Sequence, residues 1–137
     1  MSEYLLDTNI CIYLIKGQHD LENKILTLGL KSCYISEITI AELLFGVENS
    51  AHDRRLRNLQ RVQTLEASFL GRVIPISECL KEYAKHKAQL IRIGRRGGDL
   101  DIFIGSTAIV KGLTLVTRNT KDFVNMDGIV LENWIDN

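Results

Sequence analysis

The sequence predicts an α/β fold in which a parallel sheet is covered by helices on both faces. Short apolar or β-branched segments alternate with longer segments of helical periodicity along the whole chain. One helical segment, 102–110, is apolar nearly all round and therefore belongs in the interior. The length of 137 residues suits a single domain spanning 1–137, and 45% hydrophobic residues are ordinary for a globular protein.

Five segments have the composition of strands. Each is short, rich in apolar or β-branched residues and bounded by polar or turn residues. They are Glu3–Leu6, Ser32–Ser36, Arg72–Ile76, Leu113–Thr117 and Ile129–Leu131. The third contains the single proline, Pro75, which has no N–H to donate to a neighbouring strand. We therefore expect this strand near an edge of the sheet, or the proline at its start.

Five further segments have the periodicity of helices, with apolar residues recurring every three or four positions. They are Asn9–Lys16, Thr39–Val47, Leu56–Phe69, Leu80–Ile91 and Ile102–Val110. Gly17 follows the first and predicts its end. The third carries several arginines on its polar face, which we interpret as a solvated or partner-binding surface. In the last, Gly105, Ser106 and Ala108 allow a neighbouring element to approach closely.

Charge and cysteine content narrow the possible functions. The formal net charge is zero, so RNA or DNA binding would need a locally basic groove rather than a basic protein. Cys11, Cys33 and Cys79 lie far apart in apolar segments without zinc-ligand spacing, which predicts reduced, buried thiols in a cytoplasmic protein. The sequence has no signal peptide and no apolar run near the roughly 20 residues that span a bilayer, so we expect no membrane association.

Acidic residues stand where predicted strands end or helices begin. Asp7 directly follows the first strand, Glu42 lies one turn into the helix after the second strand, and Asp101 opens the buried helix. Asn119 and Asp122 follow the fourth strand. In a parallel sheet these positions meet at the carboxyl edge of the strands, which is where ligands bind.

Most of these positions also have a purely structural interpretation. Asp7, Thr8 or Asn9 could cap the first helix, Asp99 could cap the buried helix, and 119–122 could form a polar turn. Glu42 fits such an interpretation poorly, because it interrupts an apolar stripe and a buried carboxylate without a partner is costly.

Several carboxylates at one edge of a sheet repel one another unless they are protonated or neutralised by a cation. Mg²⁺ and Mn²⁺ prefer oxygen ligands of this kind. One or two such ions can activate water and stabilise the leaving oxygen during phosphodiester hydrolysis. The residues alone leave two interpretations of Asp7 open, a helix cap and a metal ligand, and the other acids favour the ligand.

Four segments resemble the PIN-domain family, and more closely its branch of VapC-type toxins from type II toxin–antitoxin modules. The segments are LLDTN, ITIAELLFG, DIFIGSTA and LVTRNTKDF, and they occur in the family's order across most of the chain. The resemblance implies a three-layer α/β/α sandwich with a short parallel sheet. It also implies a toxin that is a Mg²⁺- or Mn²⁺-dependent endoribonuclease, commonly a homodimer, that hydrolyses RNA and is inhibited by a cognate antitoxin.

The resemblance also assigns roles to residues. The catalytic acids and metal ligands are Asp7, Glu42 and Asp101. The supporting residues are Thr8, Asp99, Thr117, Asn119 and Asp122. Candidates for contacts with the RNA backbone are Arg95, Arg96, Arg118 and Lys121. The family's fourth acidic position is often aspartate but is Asn119 here, which weakens or removes a second metal. The hypothesis is in-line attack by activated water, leaving a 5′-phosphate and a 3′-hydroxyl.

Three other functions stay open at this point. A degenerate PIN-like domain that binds RNA or protein without cutting is suggested by Asn119. A receiver-type phosphorelay domain has a similar fold, but the segment 74–77 lacks the phospho-accepting aspartate that such a domain needs. A DNA nuclease would use the same acids, because these acids read neither base nor sugar.

Overall fold

The computed structural model describes residues 2–95 and 97–136. Within these residues five strands form one sheet: β1 (Tyr4–Leu6), β2 (Cys33–Ser36), β3 (Val73–Ile74), β4 (Thr114–Val116) and β5 (Leu131–Glu132). The strand order is β3-β2-β1-β4-β5, and every neighbouring pair is parallel. Because β1 is central, the residue that follows it lies in the middle of the sheet's carboxyl edge.

Helices cover both faces of the sheet. Those in the described residues are α1 (Thr8–Ile15), α2 (Leu21–Leu28), α3 (Glu37–Glu48), α4 (Arg55–Ser68), α5 (Leu80–Arg92) and α6 (Asp99–Lys111). Side chains alternate along β1, so Tyr4 and Leu6 pack with α1, α2 and α4, whereas Leu5 packs with α5 and α6. The predicted three-layer α/β/α sandwich is thereby confirmed.

The first four predicted strands are confirmed with narrower bounds, and the fifth is shifted to Leu131–Glu132. β3 is an edge strand of two residues, as Pro75 suggested, because the proline leaves the sheet and starts a 3₁₀ turn at Ile76. β5 begins at Leu131, two residues later than the prediction. α2 was not predicted, because its start follows His19 and Asp20, whose positive φ angles of 59° and 55° have no glycine to signal them.

The start of α6 also differs from the prediction. The helix begins at Asp99 rather than Ile102, and Gly98 occupies the N-cap position. Asp99 is therefore the first helical residue, and the interpretation of Asp99 as the helix cap is wrong. The earlier start places Asp101 inside the first turn.

The expectation of free, buried thiols has a structural counterpart. Cys11, Cys33 and Cys79 are free thiols and all three are buried. In residues 2–95 and 97–136, no helix has both the length and the apolar character needed to cross a bilayer.

α6 packs closely against the segment that follows β4, and Gly105 makes this possible. A Cβ atom at Gly105 would lie 2.5 Å from Met126 Sδ and 3.4 Å from Phe123 Cδ1. We expect Gly105→Ala to lower the free energy of unfolding by about 1 kcal/mol. Displacing the buried Met126 should destabilise the fold by more than the higher helix propensity of alanine stabilises it. Chemical denaturation of the purified chain measures this change.

Gly46→Ala is the matched control for this substitution. Gly46 is also a helix residue, in α3, but a Cβ atom there meets nothing within 4 Å. We expect it to raise the free energy of unfolding by about 0.5–1 kcal/mol. Equal effects of the two substitutions would contradict the close contact at Gly105.

Candidate active site

Asp7 lies directly after β1 and forms the N-cap of α1. Its Oδ1 accepts a hydrogen bond from the backbone N–H of Thr8 at 2.8 Å, and its Oδ2 accepts one from Thr117 Oγ1 at 2.8 Å. Only 5% of the residue is exposed. The cap interpretation is therefore confirmed, and it leaves lone pairs of both oxygens free, since each accepts a single hydrogen bond.

The pKa of Asp7 is raised by burial and by two neighbouring carboxylates. Burial raises this pKa from the ordinary 3.8 to about 6, and the hydrogen bonds from Thr117 and Thr8 oppose the rise. The negative charges of Asp101 and Glu42 raise the pKa of Asp7 further. Three carboxylates from separate parts of the sequence therefore act on one another at the carboxyl edge of the sheet.

Glu42 lies one turn into α3 and is half-buried. Thr8 Oγ1 donates a hydrogen bond to Glu42 Oε1 at 2.6 Å, and the same hydroxyl oxygen lies 3.1 Å from Thr39 Oγ1. Thr8 therefore supplies the partner that the sequence around Glu42 lacked. It also joins the two acids, because its backbone holds Asp7 and its side chain holds Glu42.

Asp101 lies in the first turn of α6 and is half-buried. Burial raises its pKa, and the charges of Glu42 and Asp122 add to the rise. Among the described residues, no Lys, Arg or His side chain forms an ion pair with Asp7, Glu42 or Asp101. In the part of the chain that the structure describes, the negative charge of these three acids is therefore not balanced by a direct ion pair.

Thr117, fully buried at the end of β4, connects Asp7 to the neighbouring loop. Its Oγ1 accepts hydrogen bonds from the backbone N–H of Asn119 at 3.1 Å and from Asn9 Nδ2 at 3.4 Å. Asn119 thus supports Thr117 through its backbone. Sequence reasoning treated Asn9 only as part of a cap, and its position two residues after Asp7 was the one available signal.

The residues predicted to contact RNA fall into two places. Arg95 and Lys121 line a polar cleft of about 470 Å³ that also contains Asp101 and Asp122. Arg118 lies instead beside Asn9, whose Oδ1 accepts its backbone N–H at 3.4 Å. Arg96 lies outside the described residues.

Asp99 is directed towards α5. Its Oδ1 is 2.8 Å from Lys87 Nζ and accepts a hydrogen bond from Tyr83 Oη at 2.7 Å. These hydrogen bonds, chiefly that from Lys87, lower the pKa of Asp99. Asp99 therefore lies beside a cation and has a lowered pKa, whereas Asp101, two residues later, lies near other carboxylates and has a raised pKa.

The chemistry of the acid cluster fits a hard divalent cation, since burial and neighbouring carboxylates raise the pKa of Asp7 and of Asp101. In the described part of the chain, no group of three His, Cys, Asp or Glu side chains is close enough to hold one ion directly. Mg²⁺ commonly binds through one or two carboxylates and retains several waters. Asp7, Asp101 and Glu42 suit that mode of binding.

The chain matches the family model described as "PIN domain" over residues 4–129, which includes every acid of the cluster. It is 35% identical over 136 residues to Ribonuclease VapC2 of Rickettsia felis, covering 96% of this chain and 97% of that protein. It is 33% identical to the tRNA(fMet)-specific endonuclease VapC of Shigella flexneri, covering 98% and 99% of the two chains.

Solved structures share the fold. The chain superposes on a chain of DNA-bound VapBC from Salmonella typhimurium with a TM-score of 0.86 and 31% identity, covering 98% and 99% of the two chains. It also matches a chain of a toxin–antitoxin complex from Klebsiella pneumoniae, with a TM-score of 0.67 and 28% identity over 93% and 96% of the two chains. With the full-length relatives and the family model, these matches show that the chain belongs to the PIN-domain family and, within it, to the VapC-type ribonuclease toxins.

Proposed function

We propose that this protein is an endoribonuclease that hydrolyses RNA phosphodiester bonds with Mg²⁺ or Mn²⁺ held by Asp7 and Asp101, with Glu42 beside them. The observation that carries the proposal is the meeting of these acids at one edge of the sheet, where Thr8 binds both Asp7 and Glu42 and where the charges of Asp101 and Glu42 add to the raised pKa of Asp7. A bound divalent cation supplies Lewis acidity, which lowers the pKa of the attacking water and offsets the charge that develops on the phosphate.

The chain's own residues hold the acids in position. Thr117 and the backbone of Thr8 fix both oxygens of Asp7, and the hydroxyl of Thr8 fixes Glu42. Hydrogen bonds to a ligand carboxylate orient it, and their loss in metal enzymes typically costs about 10–100-fold in activity. We therefore assign Thr8 and Thr117 to orienting the ligands.

Basic residues beside the cluster suit the RNA backbone. Arg95 and Lys121 line the cleft that contains Asp101, so a phosphodiester that approaches Asp101 meets both cations. Asp122 lines the same cleft and adds to the local negative charge. Because RNA is the proposed substrate, we place the activity in the cytoplasm.

We further propose that a cognate antitoxin inhibits the enzyme, as the toxin–antitoxin complexes of its relatives suggest. An apolar groove of about 510 Å³ between α1, α2 and α4 supports this proposal, with Leu14, Ile25 and Leu26 inside it and Arg57 and Arg61 also lining it. This groove matches the earlier interpretation of the α4 arginines as a partner-binding surface.

A homodimer is proposed from the family resemblance. The exposed apolar side chains of Leu44 and Phe45 on α3, which are 39% and 68% exposed, are consistent with a further protein contact. A degenerate domain that binds without cutting is not favoured, because the matched relatives are named ribonuclease and endonuclease and Asp7, Glu42 and Asp101 are all present.

Cleavage of RNA by the purified chain tests the proposal. We expect cleavage with Mg²⁺, a fall of at least about tenfold after chelation with EDTA, and recovery when Mg²⁺ or Mn²⁺ is returned in excess. A single-stranded DNA of the same sequence distinguishes RNA from DNA as substrate. Cleavage that is unchanged by EDTA would exclude the proposed cation, and cleavage of the DNA alone would exclude the proposed substrate.

A further inference from the structure

Arg118 extends from the backbone next to the acid cluster. It directly follows Thr117, the residue that donates to Asp7, and its own N–H donates to Asn9. Its guanidinium donates from Nη1 to Tyr13 Oη at 2.8 Å and lies 5.5 Å from the centre of the Tyr13 ring. The side chain thus starts from a backbone position beside the acid cluster and is held in a defined direction by Tyr13 of α1.

The other edge of this guanidinium binds a carboxylate. Nε donates to Asp136 Oδ2 at 3.2 Å, and Nη2 donates to Asp136 Oδ1 at 3.3 Å. This two-pronged arrangement is the one in which arginine also binds the oxygens of a phosphate. The Asp136 carboxylate therefore occupies the position that a phosphodiester group would take on Arg118.

Asp136 is held in place by its own segment. Asn133 Oδ1 accepts the backbone N–H of Asp136 at 3.0 Å, and Asn133 Nδ2 donates to Asp136 Oδ2 at 3.2 Å. The hydrogen bonds from Asn133 and Arg118 lower the pKa of Asp136, with a smaller contribution from the charge of His19. Asp136 therefore presents an ionised carboxylate.

The ion pair is accessible enough to open. The side chains of Arg118 and Asp136 are 37% and 53% exposed, and exposed pairs of this kind contribute little to stability. The His19 ring packs edge-on against Tyr13, with ring centres 4.7 Å apart. His19 itself is exposed and has a left-handed backbone.

We propose that Arg118, oriented by Tyr13, forms a subsite for an RNA phosphate adjacent to the acid cluster, and that Asp136 blocks this subsite until RNA displaces it. The proposal rests on the proposed function, since it takes RNA as the ligand. It assigns the segment 133–136 a role as an internal competitor of the substrate.

RNA binding without cleavage tests the subsite. All variants are made in the full chain carrying Asp7→Asn, without metal, and the Kd for a short single-stranded RNA is measured by fluorescence anisotropy. We expect Asp136→Asn to tighten binding about threefold to fivefold, the range that opening an exposed ion pair allows. We expect Arg118→Gln to weaken binding about tenfold and to reduce the slope of log Kd against log salt by about 0.7.

Three comparisons make the test specific. Asp127→Asn changes the net charge as Asp136→Asn does, at an exposed residue near the far end of α6, and should leave the Kd unchanged. The double variant Arg118→Gln/Asp136→Asn should bind no more tightly than Arg118→Gln. Arg118→Lys, which keeps the positive charge but lacks the paired N–H donors of the guanidinium, should weaken RNA binding less than Arg118→Gln.

Several results would overturn the proposal. They are an Asp136→Asn variant that binds no more tightly than Asp127→Asn, a gain that persists in the absence of Arg118, and a chain that binds no RNA. The proposed nuclease activity is judged separately, by cleavage with Mg²⁺ in the parent chain. A failure of the subsite and a failure of the function are therefore distinguishable.

Discussion

Asp7→Asn and Asp101→Asn are each expected to reduce RNA cleavage at saturating Mg²⁺ by at least about 10³-fold. Asparagine preserves the shape of aspartate but removes the negative charge that binds a divalent cation. Asp7→Asn also retains a side-chain oxygen for the N–H of Thr8, so the start of α1 stays capped. A lower cleavage rate of Asp7→Asn would therefore result from the loss of the charge and not from the unfolding of α1.

The control is Asp99→Asn, the same chemical change two residues before Asp101. Asp99 is exposed and bound to Lys87 and Tyr83, and such surface pairs contribute little. We expect its cleavage rate to stay within about threefold of the parent. The cleavage rate of Glu42→Gln should lie between that of Asp99→Asn and those of the Asp7 and Asp101 variants. We expect a loss of about 10–100-fold, because Gln can still accept the hydrogen bond from Thr8.

The assignment of the metal ligands is tested by initial cleavage rates on one labelled RNA. The rates are measured for all four variants at equal concentrations of folded protein. If Asp101→Asn and Asp99→Asn cut at the same rate, the choice of Asp101 as a metal ligand is wrong. If Asp7→Asn cuts as fast as the parent, Asp7 is only a helix cap.

Most of the fold could be predicted because its signals are local. β1, β2 and β4 are short apolar runs, and five of the helices carry apolar stripes along the chain. α2 escaped prediction because the chain enters it through two left-handed residues that are not glycine, His19 and Asp20, and no local pattern indicates such a backbone.

The acid cluster could be predicted because parallel strands end at one edge of the sheet. That rule brought Asp7, Glu42 and Asp101 together from distant parts of the sequence. It could not separate Asp101 from Asp99, since both open the same helix. Residues two apart on an α-helix point about 200° away from each other, so only one of the pair can turn towards the site, and the start of α6 decides which.

Contacts between distant side chains could not be predicted in the same way. Arg118 was expected to be free for RNA, whereas the structure pairs it with Asp136, 18 residues further along. Nothing in the local sequence of either residue indicates the other. The same holds for Thr8, whose hydroxyl reaches Glu42 across 34 residues.

The second large effect concerns stability. The pKa of Asp7 is about 6 in the folded chain against an ordinary 3.8, so the folded state binds the proton more tightly than the unfolded state. The contribution of Asp7 to the stability of the parent should therefore fall as the pH rises from about 4 to about 6 and stay low above that range. A shift of about two pKa units corresponds to about 3 kcal/mol.

Asp7→Asn removes this cost, because asparagine carries no charge at any pH. We subtract about 1 kcal/mol for weaker hydrogen bonding to Thr117 and expect a gain of about 2 kcal/mol in the free energy of unfolding at pH 7.5 in EDTA. For a chain of this length the gain corresponds to a melting temperature about 8 °C higher. At pH 4 the parent's Asp7 is largely protonated, so the gain should disappear and the small loss from weaker hydrogen bonding to Thr117 should remain.

Thermal and denaturant unfolding of the parent and of Asp7→Asn, at pH 4 and at pH 7.5, measure this dependence. Asp99→Asn is the opposite control, since its pKa is lowered by Lys87 and its removal should slightly reduce stability near neutral pH. Saturating Mg²⁺ at pH 7.5 should stabilise the parent and leave Asp7→Asn nearly unchanged, because only the parent retains the full set of acids. A gain from Asp7→Asn that is equal at both pH values would show that Asp7 is not charged at a cost in the folded chain. The acid cluster would then lose its main electrostatic reason for binding a cation.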